Sequence, residues 1–262
     1  MKFFSPEKPQ QKEAINPLKS EHLKEGVSPI IACIGTTEQF KKDSPNEDGA
    51  SQYEIVPNPS LDTNDNRNVN YYGKSEELSK QNFKNAGNYS YVISPVDNLN
   101  KFSESFKNCT GLIVAGIDKE TGESVSFLSH EDPDYFLRYA SATEKFADDL
   151  RERIQELKDR CEEGTIDAVI VGGNYFSDRP KYRENYLMSI AVVSKEVKSV
   201  LGFEPVVITG PKTTSGQDDV FYDNSHRRLY IMRTKVAQEG TKSYLPSDIV
   251  DKREGWEKDD QW

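Results

Sequence analysis

Two residues of this chain could do chemistry together. Cys109 opens a short apolar run, Cys109-Thr-Gly-Leu-Ile-Val-Ala-Gly-Ile117, and His130 ends the segment Glu123 to His130 that follows it. A free thiol with a pKa near 8.5 is only a few per cent thiolate at neutral pH, and an adjacent imidazole that draws off the proton turns it into a nucleophile. Such a pair attacks a carboxamide or ester carbonyl and passes through a thioester that water cleaves. The bland alternative makes Cys109 a small core residue and His130 a satisfied surface group.

Whether the two can meet is a question of register. Asp118-Lys-Glu-Thr-Gly122 between the segments is turn chemistry, with glycine where a positive φ is needed. If the loop is Lys119-Glu120, Cys109 lies directly opposite His130. If it runs from Lys119 to Gly122, the two are diagonal neighbours on one face. Opposed Cβ atoms are about 4.5–5.5 Å apart and diagonal neighbours about 7–8 Å. An odd-length loop puts them on opposite faces. Gly111, Ala115 and Ser126 share the Cys109 face and are small, which is expected to leave room for a substrate.

The other candidates carry less. His22 lies in a polar segment, and His226 sits in Asn224-Ser-His-Arg-Arg228, which has the composition of a hairpin turn. His130-Glu-Asp-Pro-Asp134 lacks the second histidine or CxxC that a metal site needs, so an acidic turn is the expectation. Gly210-Pro-Lys-Thr-Thr-Ser-Gly216 lacks the Gly-Lys-Ser/Thr ending of a phosphate loop and is expected to connect strands. Cys161 falls on an apolar helical stripe and is expected in the core.

These residues need elements to hold them. Phe146, Leu150, Ile154, Leu157 and Cys161 recur at helical spacing, which predicts an amphipathic helix over 139–163 stopped by Gly164. A second helix is predicted over 185–201, with Leu187, Ile190, Val193 and Val197 inward. Strands are predicted at 109–117, 123–130, 166–171, 205–208, 219–222 and 228–232. That order is an α/β domain with a mixed sheet, not an all-parallel one.

The rest of the chain is polar. The 262 residues carry 34 Lys and Arg against 44 Asp and Glu, a formal net charge of −10, which argues against a nucleic-acid partner. Apolar residues are 35% and the mean hydropathy is −0.77, so a core must share the chain with polar segments. No apolar run is long enough to span a membrane, so no membrane insertion is expected. The first residues hold no apolar h-region, so no conventional secretory signal is expected. Three cysteines at 33, 109 and 161 form no framework, which suits a reducing compartment and a cytoplasmic location, with export by another route left open. Residues 1–88 are expected as a partly disordered polar extension with one strand at 28–35, and 41–75 as loop. Residues 89–233 are expected as the domain, and 234–262 as a polar tail.

The region from about Ser103 to Arg233 resembles the chemoreceptor glutamine deamidase (CheD) family, which is similar to the catalytic domains of cytotoxic necrotizing factor toxins. The matching features are Cys109 opening a strand, the turn at Asp118 to Gly122, and His130 before Pro133. They continue with Gly172-Gly173-Asn-Tyr-Phe176, the strand entry Gly202-Phe-Glu-Pro205, Ser215-Gly216 and a final hairpin. The resemblance implies a mixed β-sheet or β-sandwich core flanked by helices. It implies hydrolysis of a protein glutamine to glutamate plus ammonia, with Cys109 as nucleophile and His130 as base. Ser103, six residues before the cysteine where the family carries a hydroxyl, would orient the imidazole. Backbone N–H groups of Cys109 and Thr110 would hold the oxyanion. No cofactor or metal is implied, and the partner would be a protein substrate, a chemoreceptor or a host protein. An inactive protein-binding module, or a Cys–His hydrolase for another amide or ester, remain the alternatives.

Overall fold

A computed structural model describes residues 21–35, 70–71, 84–85, 91–173, 180–210, 216–236 and 242–244. In chain order the strands are β1 (Ile31–Gly35), β2 (Asn70–Tyr71), β3 (Lys84–Asn85), β4 (Tyr91–Ile93), β5 (Lys101–Phe106), β6 (Thr110–Ile117), β7 (Ser124–Glu131), β8 (Asp167–Gly172), β9 (Val206–Thr209), β10 (Gly216–Asp223), β11 (Arg228–Val236) and β12 (Lys242–Tyr244). The helices are α1 (Pro133–Phe136), α2 (Ala140–Arg160) and α3 (Pro180–Leu201). Among the described residues, none of these helices is long and apolar enough to cross a membrane.

The strands make two mixed sheets. One runs β1-β11-β10-β5-β2, with β12 also on β11, and the other runs β3-β4-β7-β6-β8-β9. The β1–β11 and β8–β9 pairs are parallel, while the other pairs are antiparallel. The β6–β7–β8 sheet is buried on both sides, and period-2 alternation sorts its residues. Leu112, Val114, Val125, Phe127, Ala168 and Ile170 pack with α2 and α3. Ile113, Ala115, Leu128, Val169 and Val171 pack with Val220, Tyr222, Leu229 and Ile231 of the first sheet.

Helix α2 forms as its spacing predicts, burying Phe146, Leu150, Ile154 and Leu157, each worth about 1.5–3 kcal/mol when fully removed from water. It ends at Arg160, short of Gly164, because Cys161 turns extended and bridges to Asp118. Helix α3 starts five residues before the predicted boundary, at Pro180, a residue suited to the first helical turn. Besides Ile190, Val193 and Val197 it buries Tyr186, Ser189 and Glu196, and Glu196 is satisfied by Arg151 at 2.7 Å. The pattern did not mark α1, β4 or β5.

Residues 31–35, within the predicted 28–35 strand, add β1 to the first sheet beside β11. The predicted 41–75 loop lies outside the described residues except for Asn70–Tyr71, which form β2. Much of the 234–262 tail also lies outside them. Its described part extends β11 to Val236 and supplies β12.

The β6–β7 turn has the longer of the two even loops. Ile117 pairs with Ser124, Gly122 donates to the Asp118 carbonyl at 2.8 Å, and Asp118 donates to the Glu123 carbonyl at 2.8 Å. The Asp118 carboxylate accepts from the Glu120 and Thr121 N–H groups, and the Arg160 guanidinium beside it helps to hold its pKa below the usual carboxylate range. Every side chain of the hairpin is thereby assigned to a face.

Candidate active site

His130 lies near the end of β7, and the register that pairs Thr110 with Glu131 and Ile113 with Leu128 sets it beside Gly111. Cys109, one residue before β6, is then its diagonal neighbour on the face turned toward the first sheet, where the half-buried cysteine packs against the inter-sheet core. Register therefore brings the two predicted residues to one face.

The first sheet supplies what surrounds the imidazole. Ser103 Oγ of β5 lies 2.7 Å from His130 Nδ1, with both residues buried. The Phe106 ring stacks on the His130 ring, centroids 4.1 Å apart and planes within 17°. In a regular strand, residues three apart point to opposite faces, yet Ser103 and Phe106 both reach His130. A β-bulge explains this. The β5–β10 register shifts between Asp218 and Val220, and Ser105 adopts a left-handed φ of 66°. Its N–H is held by the Asp219 carboxylate at 2.7 Å. The one-residue slip turns Phe106 back to the side that Ser103 occupies.

The Phe106 ring also corrects one expectation. Gly111 does not leave room for a substrate, because a Cβ there would meet the Ser129 carbonyl at 2.5 Å and Phe106 Cε1 at 2.7 Å. Ala115 and Ser126, both fully buried, likewise face the packed sheet and not an open cleft. Toward the strand end the chain is less buried: Lys107 is exposed, and Asn108 and Cys109 are half-buried. The second glycine that matters is Gly172. Its φ is +82°, and a Cβ would lie 2.6 Å from the Cys109 carbonyl oxygen. Gly173 then donates to that oxygen at 2.8 Å, fixing the backbone at the thiol.

The opposite face of the same strands holds a second polar group. Thr110 Oγ1 donates to Glu131 Oε1 at 3.1 Å and lies 2.6 Å from Ser189 Oγ of α3. Glu131 is fully buried, its Oε2 has no partner, and burial pushes its pKa up to about 8. Burial thus favours its neutral form. The expected acidic turn after His130 proves divided. Asp132 caps α1, while Glu131 is a strand residue buried under the helices.

The remaining candidates lie apart from this site. Cys161 is buried in the helix-side core, and burial pushes its thiol up to about 12. Cys33 lies on β1, in the other sheet. His226 sits in the β10–β11 turn on Asp223 and Ser225. His22 stacks on Phe203 at 3.6 Å. Much of the 210–216 loop, and Asn174 to Phe176, lie outside the described residues. Among the described residues, no group of three or more His, Cys, Asp or Glu side chains is arranged to hold a metal ion. Sequence reasoning missed Phe106 as a partner of His130, and only the position three residues after Ser103, meaningful once the bulge is known, could have marked it. No family model, curated protein or solved structure matches the chain.

Proposed function

We propose that this chain is a cysteine-dependent amidohydrolase that converts a glutamine side chain of a target protein to glutamate and ammonia, in the manner of the deamidases it resembles. The observation that carries this reading is the 2.7 Å contact between buried Ser103 Oγ and His130 Nδ1, on the face that Cys109 shares. A hydroxyl that accepts from Nδ1–H fixes the tautomer in which Nε2 is the basic nitrogen.

In this mechanism His130 Nε2 takes the Cys109 thiol proton, and the thiolate adds to the glutamine Cδ carbonyl. The N–H groups of Cys109 and Thr110 hold the oxyanion. The imidazolium returns its proton to the departing nitrogen, the C–N bond breaks, and ammonia leaves a thioester. His130 then deprotonates water, which adds to the thioester, and the C–S bond breaks to release glutamate and the thiol. Stacking on Phe106 and the bond to Ser103 hold the ring through both halves. No cofactor takes part in this sequence. The product carries a new negative charge, so the reaction would act as a switch on its target.

Intact-mass analysis of candidate target proteins tests the reading. The expected result is the mass gain of replacing NH2 by OH, with ammonia released, and neither with Cys109→Ala. Equal conversion by wild type and Cys109→Ala would overturn it.

A further inference from the structure

A cavity of about 620 Å³ opens between α1 and the first turns of α3. Tyr135, Leu137 and Tyr182 give it apolar walls, and Arg138 and Lys181 bring two cations to it. In a chain of net charge −10 these two cations line one cavity without a carboxylate partner among the described residues. Arg138 lies over the Tyr139 ring at 5.4 Å. Several other cations meet carboxylates, as Lys145 does with Asp149 at 2.8 Å and Lys198 with Glu204 at 2.7 Å. Asp134, the one carboxylate on the cavity wall among the described residues, is already engaged by Asn185 at 2.6 Å. Helix α3 begins here with no acidic residue in its first turn, so the positive end of its dipole adds to the field. The large apolar side chains most exposed among the described residues, Tyr135, Tyr139 and Met188, lie on α1, just beyond it and on α3.

The cavity is at the Cys109 end of the sheet. Gly173, which donates to the Cys109 carbonyl, lies against the Tyr186 ring of α3. Asn185 precedes Tyr186, and Tyr182 and Lys181 sit one turn further toward the helix start. Along α3 the cavity thus begins about one turn, roughly 6 Å, from the point where Tyr186 meets the backbone at Cys109, and the thiol lies on the other face of the same strand end. A peptide that rounds the strand end from the thiol to the cavity needs on the order of four extended residues.

We propose that this cavity receives an acidic residue of the substrate polypeptide, a few positions from the glutamine that Cys109 attacks. The proposal rests on the deamidase reading and gives that site a sequence preference. The carboxylate is held by Arg138, Lys181 and the start of α3, and the peptide's apolar neighbours lie on the tyrosines.

Binding without turnover tests it independently of the chemistry. Fluorescein-labelled alanine-rich peptides with a central glutamine would carry glutamate, alanine, lysine or phosphoserine about four residues away. Their anisotropy would be followed on the full chain bearing Cys109→Ala. The expected result is glutamate-peptide binding at least tenfold tighter than lysine-peptide binding, with the preference erased by Arg138→Glu with Lys181→Glu. Both side chains are exposed, so the core is untouched. Equal binding of all peptides, no binding, or a preference that survives the double charge reversal would overturn the proposal. Tighter binding of phosphoserine than glutamate would overturn it in favour of a phosphopeptide. Ammonia release by the wild-type chain from the same peptides reads the deamidase assignment separately. Its absence alongside an intact binding preference would sink the chemistry and keep the cavity.

Discussion

Cys109 and Thr110 are consecutive, as are His130 and Glu131, yet the two steps along the strands lead to opposite environments. On the face toward the first sheet, His130 has a hydroxyl partner, a stacked ring and a half-buried thiol beside its register position. On the face toward the helices, Glu131 has two hydroxyls within its cluster, no exposure and one unpartnered oxygen. Both faces are polar at the same strand end. Only one sets an imidazole and a half-buried thiol on a shared face, and it is the one that reacts in the proposed mechanism. The other is a buried carboxyl joined to α3 through the Thr110 and Ser189 hydroxyls. Access and partner, not polarity, separate a reacting group from a fastening one.

The largest effect that would break this contrast is loss of the reacting face. Cys109→Ala is expected to reduce ammonia release at least about a thousandfold, roughly 4 kcal/mol of transition-state stabilisation, and His130→Ala nearly as much. The effect of either on the urea midpoint should be far smaller. Variants that keep normal ammonia release, or that lose it only in step with a collapsed urea midpoint, would erase the distinction between the faces.

The fastening face should instead show in pH. The folded pKa of Glu131 is raised, so the stability of its neutral form is fully present below the usual carboxyl pKa of about 4.3. It is lost progressively as pH rises toward about 8. Urea unfolding should therefore show wild-type stability falling by roughly a few kcal/mol over that window relative to Glu131→Gln, which cannot ionise. Parallel pH curves for the two proteins would contradict the assignment.

The bulge that supplies the reacting face can be probed at Ser105. Glycine at a φ of 66° should be tolerated or slightly stabilising, whereas Ser105→Val should cost about 1–3 kcal/mol and reduce activity by misaligning Ser103 and Phe106. Ser103→Ala removes only an orienting group and is expected to cost about tenfold to a hundredfold in kcat, or 1.4–2.7 kcal/mol. Activity assays on purified variants give both orderings.

The two faces also differ in how much of them could be read from residue types. Local chemistry foretells the hairpin. Asp118 and Gly122 mark the turn but leave the parity of its loop open; the even loop of the structure, with alternation, sets Cys109 and His130 on one face. The helical stripe ending in Cys161 was equally legible, because Phe146, Leu150, Ile154 and Leu157 recur at intervals of four, four and three. The bulge was not, since it depends on Ser105 being held by Asp219, a residue of β10 more than a hundred positions away. The packing of Phe106 over Gly111 was hidden for the same reason. Without it, small residues on that face suggest a cleft where two sheets in fact close. The edge strands β2 and β3, two residues each, are too short for any periodicity.

The most direct measurement of the central claim is the iodoacetamide labelling rate of each thiol in the folded chain against pH, resolved by peptide mass spectrometry. Cys161, buried and pushed up to about 12, should be nearly inert. The account predicts that Cys109 labels fastest near neutral pH, and that His130→Ala slows it and moves its profile upward. Faster labelling of Cys33 or Cys161, or a Cys109 profile indifferent to His130→Ala, would contradict it.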